Sequence, residues 1–159
     1  MKHLLFIAFL ASTLIFSNST NAQKWKMGVS IMPGVASNGG YGLKLGADIR
    51  IQTKIAEKTH FILTTGVTEF FAKNNISSMG YIPLKAGAKY FWGENLYTAG
   101  EIGIGFGLVK GSGRSFIWSP SVGLSFKTID FSVKYEDATD FGKYCKQFAL
   151  RVAYGFDLK

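Results

Sequence analysis

Cysteine is nearly absent from this chain: of its 159 residues only Cys145 carries a thiol. An intrachain disulfide framework is therefore excluded, and Cys145 reads as a small packed residue rather than half of a bridge or a nucleophile. Histidine is almost as scarce, with only His3 and His60. No cluster of His, Cys and carboxylates has metal-ligand spacing, so no metal and no other cofactor is expected. Acidic residues are few, 10 against 18 Lys and Arg, which leaves a formal charge of +8. These basic residues are scattered rather than gathered into a stripe, which argues against a nucleic-acid partner. Past the first residues there is no second long apolar run, no amphipathic helical period and no linker rich in Pro or Ser.

What is there begins with "MKHLLFIAFLASTLIFSNSTNAQ": a basic Lys2, an apolar run from Leu4 to Phe16, and a small polar stretch ending Thr20, Asn21, Ala22. The run is about 13 residues, short for a membrane span, and Thr20 with Ala22 offers the small-x-small spacing of a cleavage site. Residues 1–22 are expected to be a secretory signal peptide and residues 23–159 a single domain. No cysteine follows the run, so a lipid-anchored lipoprotein is not expected.

The rest alternates with a period of two, as a strand does when one face differs from the other. Apolar sets recur: Trp25, Met27, Val29, Ile31; then Leu43, Leu45, Ala47, Ile49, Ile51 against Lys44, Asp48, Arg50. Phe61, Leu63, Val67 follow, then Ile82, Leu84, Ala86, Ala88, Tyr90, Trp92, then Ile102, Ile104, Phe106, Leu108. The last three are Phe116, Trp118, Val122, Leu124, Phe126; Ile129, Phe131, Val133, Tyr135; and Leu150, Val152, Tyr154, Phe156, Leu158. The pattern predicts eight strands. "IAEKT", "GEN" and "KT" make short connections, whereas "PGVASNGG", "AKNNISSMG", "KGSGR" and "EDATDFGK" are mostly longer. Short turns at one end and longer loops at the other point to an all-β, eight-stranded antiparallel up-and-down transmembrane β-barrel with both termini on the periplasmic side.

A soluble lipocalin-like barrel binding an apolar ligand also alternates, with its apolar face inward. The polar face decides between them. Water would call for dense Lys, Glu and Thr, yet Glu101 is followed on its face by Gly103, Gly105 and Gly107, and the sixth strand offers Ser115, Ser119, Ser121 and Ser125. Small residues with scattered charge suit a narrow lumen, where Asp48, Arg50, Lys85, Lys89, Glu101, Lys134 and Arg151 are expected to form a charge network. Glu101 is expected to pair with Lys85, Lys89 or Arg151. Trp25, Tyr41, Phe70, Phe71, Tyr81, Tyr90, Trp92, Tyr97, Phe116, Tyr135 and Phe156 gather near strand ends and read as interfacial girdles. Pro83 and Pro120 fall inside strands and are expected at bulges or strand ends.

The closing strand, through Tyr154, Phe156 and Leu158, resembles the C-terminal signal read by the barrel-assembly machinery, although the last residue is Lys159 rather than an aromatic. "GYIPLKAGAKYFWGENLYTAGEIGIGFGL" resembles the small PorT-like outer-membrane barrels of Bacteroidetes-type Gram-negative bacteria, through Ile82, Pro83, Leu84, Gly100, Gly103, Gly105 and Gly107. The strand number is also similar to that of OmpA/OmpX-type barrels. The resemblance implies an outer-membrane location, and for PorT-like proteins a link to protein secretion.

Chemistry is sparse. Lipid A deacylases and palmitoyltransferases are barrels of this size with a His–Ser–acid set near the outer leaflet, but His60 begins a strand at the opposite rim and no His-x-Ser motif exists. It reads as a solvated rim histidine. Asp137 and Asp140 are two acids in a loop, more consistent with a solvated turn than a calcium site. Gly103, Gly105 and Gly107 alternate within a strand and read as lumen space, not a phosphate loop. Lys73, Lys110, Arg114 and Lys143 lie near the predicted outer ends, where they can meet lipopolysaccharide phosphates. The expectation is a non-enzymatic barrel with a filled lumen, whose partners are outer-membrane lipid and lipopolysaccharide, the assembly machinery and secretion-machine proteins.

Overall fold

The structure, a computed structural model, describes residues 25–37, 41–72, 79–109, 111–141 and 146–158. They form eight strands: β1 (Trp25–Ala36), β2 (Tyr41–Ala56), β3 (Thr59–Ala72), β4 (Met79–Phe91), β5 (Leu96–Gly107), β6 (Arg114–Ser125), β7 (Ile129–Ala138) and β8 (Lys146–Asp157). Each pairs antiparallel with its neighbours in sequence, and β1 pairs with β8 to close the barrel. A single 3₁₀ turn, Thr139–Phe141, follows β7. The strands run from 10 to 16 residues, enough for the roughly 9–11 that a tilted strand needs to cross a bilayer.

Period-two alternation settles which side chains face out. Ile31, Ile102 and Trp92 are 60%, 61% and 63% exposed, while Arg50, Lys85 and Glu101 are 4%, 1% and 1% exposed. Apolar outside and charged inside is the reverse of a soluble barrel, and so large an apolar belt is compatible with hydrocarbon rather than water. The short turns at 57–58, 92–95 and 126–128 lie at the end where β1 begins and β8 finishes.

Two strands run further than the alternation indicated. β1 continues through Pro33, Gly34 and Val35, and β7 through Glu136, Asp137 and Ala138, all assigned by the sequence pattern to loops. The prolines also behave differently from expectation. Pro33, Pro83 and Pro120 all lie within strands, with no bulge beside them. Pairing of β3 with β4 stops at Thr65↔Leu84 and resumes at Thr68↔Tyr81 in the same register. β6 with β7 skips from Trp118↔Asp137 to Ser121↔Lys134, and β1 with β8 from Ile31↔Val152 to Gly34↔Ala149. A proline lacks one amide donor, so each ladder loses one bond and carries on. The other edge of Pro83 and of Pro120 pairs without a break, opposite Gly105 and Gly100.

Gly103 does more than leave lumen space. A Cβ there would lie 2.0 Å from the Leu84 carbonyl oxygen and 2.7 Å from the Lys85 Cα. The strand bends so tightly onto β4 that no side chain fits, as small barrels require where a sheet curves sharply. Gly105 does give space: a Cβ there would meet Ile117, Phe141 and Tyr81 side chains.

Candidate functional site

Among the described residues polar chemistry concentrates in the interior, and strand alternation puts it there. β2 turns Lys44, Asp48 and Arg50 inward, β4 Lys85 and Lys89, β5 Glu101, β7 Lys134 and Glu136, and β8 Gln147 and Arg151. β6 fills its share with Ser115, Ile117 and Ser119, and β1 with Ser30 and Met32. The seven network residues anticipated from sequence, Asp48, Arg50, Lys85, Lys89, Glu101, Lys134 and Arg151, all lie in this interior, each 4% exposed or less.

Two linked groups run through it. Arg151 grips Asp48 bidentately, Nε to Oδ2 at 3.1 Å and Nη2 to Oδ1 at 2.8 Å, the planar fork matching the carboxylate. Its other nitrogen, Nη1, stands 3.5 Å from Asp130, which also accepts from Lys89 at 2.5 Å and from the Tyr97 hydroxyl at 2.6 Å. In the second group Glu101 accepts from Arg50 at 2.9 Å and from Lys134 at 3.0 Å. These replace the partners expected for it among Lys85, Lys89 and Arg151, because reach across the lumen depends on strand stagger rather than sequence spacing. Lys85 donates to Glu136, which also accepts from the Tyr81 hydroxyl at 2.6 Å and Gln147 at 2.9 Å, with Lys134 at 3.4 Å.

Glu136 and Asp130 were missed by the sequence reading. The signal was present: Asp130, Ser132, Lys134 and Glu136 keep one parity, and extending the β7 alternation by one step would have found Glu136.

An apolar cluster lies on each side of this ionic layer. Toward the longer loops Phe70, Tyr81, Ile117 and Ala138 form a fully buried cluster with Phe141 of the 3₁₀ turn packed against it. Toward the short turns Ile62, Tyr97 and Ala99 cluster with Phe91. Phe70, Tyr81 and Tyr97 therefore belong to the interior and not to the girdles, since their parity matches Thr68, Lys85 and Ala99. Trp25, Phe71, Tyr90, Trp92, Phe116 and Phe156 do face outward, and Tyr135 is half-buried beside Trp118 and Phe148. The side chain of Tyr41 lies outside the described residues.

The remaining sequence candidates are dispersed. Lys73, Lys110, Lys143 and Cys145, together with residues 1–22, lie outside the described residues. Arg114, at the loop end of β6, holds its guanidinium 5.7 Å from the Phe106 ring centroid. Asp137 is a strand residue 3.3 Å from Lys146, and Asp140 accepts the Phe116 amide at 3.1 Å, so each acid is engaged. Among the described residues no group of three His, Cys, Asp or Glu side chains is placed to hold a metal. His60 stands at the short-turn end of β3, edge-on to Phe91 with ring centroids 5.1 Å apart. Tyr154 and Phe156 are exposed on the outer face of β8, and Leu158 just beyond it.

No family model matches the chain and no curated relative matches its sequence. Solved structures do match its shape. Ail, the attachment invasion locus protein of Yersinia pestis, superposes with a TM-score of 0.58 at 14% identity, covering 84% of this chain and 99% of that one. Neisserial surface protein A gives 0.58 at 13% identity over 87% and 98%. A de novo designed transmembrane β-barrel gives 0.56 at 12% identity over 82% and 95%. At such identities the likeness is one of architecture, and the architecture is that of the eight-stranded outer-membrane β-barrel.

Proposed function

We propose that this chain is an integral outer-membrane barrel, exported by residues 1–22 as a signal peptide, with a structural or interaction role and neither a catalytic nor a channel function. The observation that carries this reading is the filled lumen. An ionic layer spans the interior, and the Phe70, Tyr81, Ile117 and Phe141 cluster stops it at the loop end. A pore needs a continuous wet path, which such packing denies. A general base needs a carboxylate or imidazole poised for substrate, whereas Asp48, Glu101, Asp130 and Glu136 are each held by cations. Interaction then falls to the rims and the lipid-facing surface. Arg114 and Lys110, which share one connection in the sequence, with Lys73 and Lys143 from two others, fit contacts to lipopolysaccharide phosphates, and Tyr154, Phe156 and Leu158 fit the strand read by the barrel-assembly machinery.

The test pairs gel mobility with conductance. The outer-membrane fraction should contain a band whose mobility changes on boiling, and the purified barrel should give no large stable conductance in planar bilayers. A soluble protein without a mobility change would overturn the barrel's placement, and a steady open channel would overturn the sealed lumen.

A second reading, an accessory barrel of a protein-secretion machine, is favoured by the PorT-like pattern: Pro83 of the Ile-Pro-Leu segment pairs with Gly105 of the glycine-rich strand. Affinity capture from detergent-solubilised membranes tests it, with co-purified secretion components expected and their absence telling against it.

A further inference from the structure

The barrel is stopped at its loop end and open at the other. Where β1 begins, a cavity of about 400 Å³ opens among Lys26, Lys54, His60, Phe91, Phe126 and Lys127. That is within the roughly 300–1,000 Å³ range of small-ligand sites. Its lining carries three lysines against one carboxylate, Glu94. A narrower cleft shares Lys26 and Lys127 with it and reaches Arg50 and Arg151 below. The acid in the lining of that cleft, Asp130, is already occupied by Lys89 at 2.5 Å and the Tyr97 hydroxyl at 2.6 Å. Asp157 forms an ion pair with Lys26 at 3.5 Å, but both side chains are exposed and water screens the pair. The mouth is thus a concave basic surface with little acid free to neutralise it, which concentrates anions.

Two further observations point to an occupant. His60 Nδ1 and Thr53 Oγ1, both on residues lining the cavity, are buried and have no hydrogen-bond partner among the described residues. Buried polar atoms are nearly always satisfied, so a bound group or water belongs there. Phe91 and Phe126 add an apolar wall to the same space.

We propose that this vestibule binds a small organic phosphate presented from the side that carries the strand termini. Three ammonium point donors in one lining, from Lys26, Lys54 and Lys127, suit a tetrahedral oxyanion, which offers oxygens in several directions. A planar carboxylate is best gripped by an arginine fork, and the Arg151 fork is already filled by Asp48. The phosphate meets the lysines, and the organic part lies against Phe91 and Phe126.

The probe is phenyl phosphate, titrated into the refolded mature chain in nanodiscs of zwitterionic lipid while the His60 ring and Phe91 amide NMR signals are followed. A saturable shift is expected, about tenfold weaker in Lys54→Gln/Lys127→Gln. Both lysines are exposed, so this variant retains the fold, and its boiling-dependent gel shift checks that. Phenol should give no saturable shift, and benzoate a weaker one. Shifts that fail to saturate by about 10 mM, or that are unchanged in the double variant, overturn the site. Benzoate binding as tightly as phenyl phosphate overturns the choice of phosphate.

Discussion

Removing a negative charge from the lumen should cost far more than removing a positive one. The interior holds six cations, Lys44, Arg50, Lys85, Lys89, Lys134 and Arg151, against four carboxylates, Asp48, Glu101, Asp130 and Glu136. Glu136→Gln deletes the carboxylate paired with Lys85 and one of the two beside Lys134. A buried cation stripped of its partner costs about 3–5 kcal/mol. Lys134→Met instead leaves every carboxylate with a cation, since Glu101 keeps Arg50 at 2.9 Å and Glu136 keeps Lys85. Its lost charged hydrogen bond is worth about 1.5–3 kcal/mol, offset in part by relieved repulsion among the surplus cations, so a net loss of about 1–2 kcal/mol is expected. The double variant Lys85→Met/Glu136→Gln should recover much of the Glu136→Gln loss. The assay is reversible urea unfolding in lipid vesicles, followed by fluorescence of the outward-facing Trp25, Trp92 and Trp118. Equal losses for Glu136→Gln and Lys134→Met, or a larger loss for the lysine, would refute the reasoning that charge imbalance governs this interior.

Two backbone predictions follow from the ladders. Pro120→Ala restores an amide facing β7, so hydrogen exchange should reveal a new protected site, with stability raised by about 0.5–1.5 kcal/mol less about 0.4–1 for regained unfolded-state freedom. Rapid exchange at residue 120 would mean that the gap has another cause. Gly103→Ala places a methyl 2.0 Å from the Leu84 carbonyl oxygen and should abolish the boiling-dependent gel shift, whereas Gly100→Ala, whose Cβ meets nothing within 4 Å, should keep it. A folded Gly103→Ala barrel would show that the β4–β5 bend relaxes easily.

The outward face was legible because it obeys one rule, alternation, over every strand from Trp25 to Phe156. Strand ends were less so. Pro33 and Gly34 look like loop residues, yet a proline in a closed barrel costs a single ladder bond, and β1 continues past them. Glu136 was hidden for a similar reason, since "EDATD" has loop composition while its first residues still pair with β8. Tyr81 and Tyr97 lie near strand ends, where aromatics suit the membrane interface, but parity turns both into the lumen. The partners of Glu101 were not legible at all: Arg50 and Lys134 lie 51 and 33 residues away in sequence, and only the stagger of the closed barrel brings them together.

That stagger gives the ionic layer a mechanical role. Neighbouring strands are joined by ladders around the wall, but Arg50 to Glu101 ties β2 to β5, Lys85 to Glu136 ties β4 to β7, and Arg151 to Asp48 ties β8 to β2. The first two cross the lumen and the third spans β1, and a tube braced in several directions resists flattening in any of them. They also make incomplete assembly unfavourable. A sheet of four or five paired strands satisfies its ladders while leaving these charges facing an open side, so only the last seam brings them all into register. Closure of this barrel is therefore expected to be a single cooperative event, with the wall and its bracing completed together.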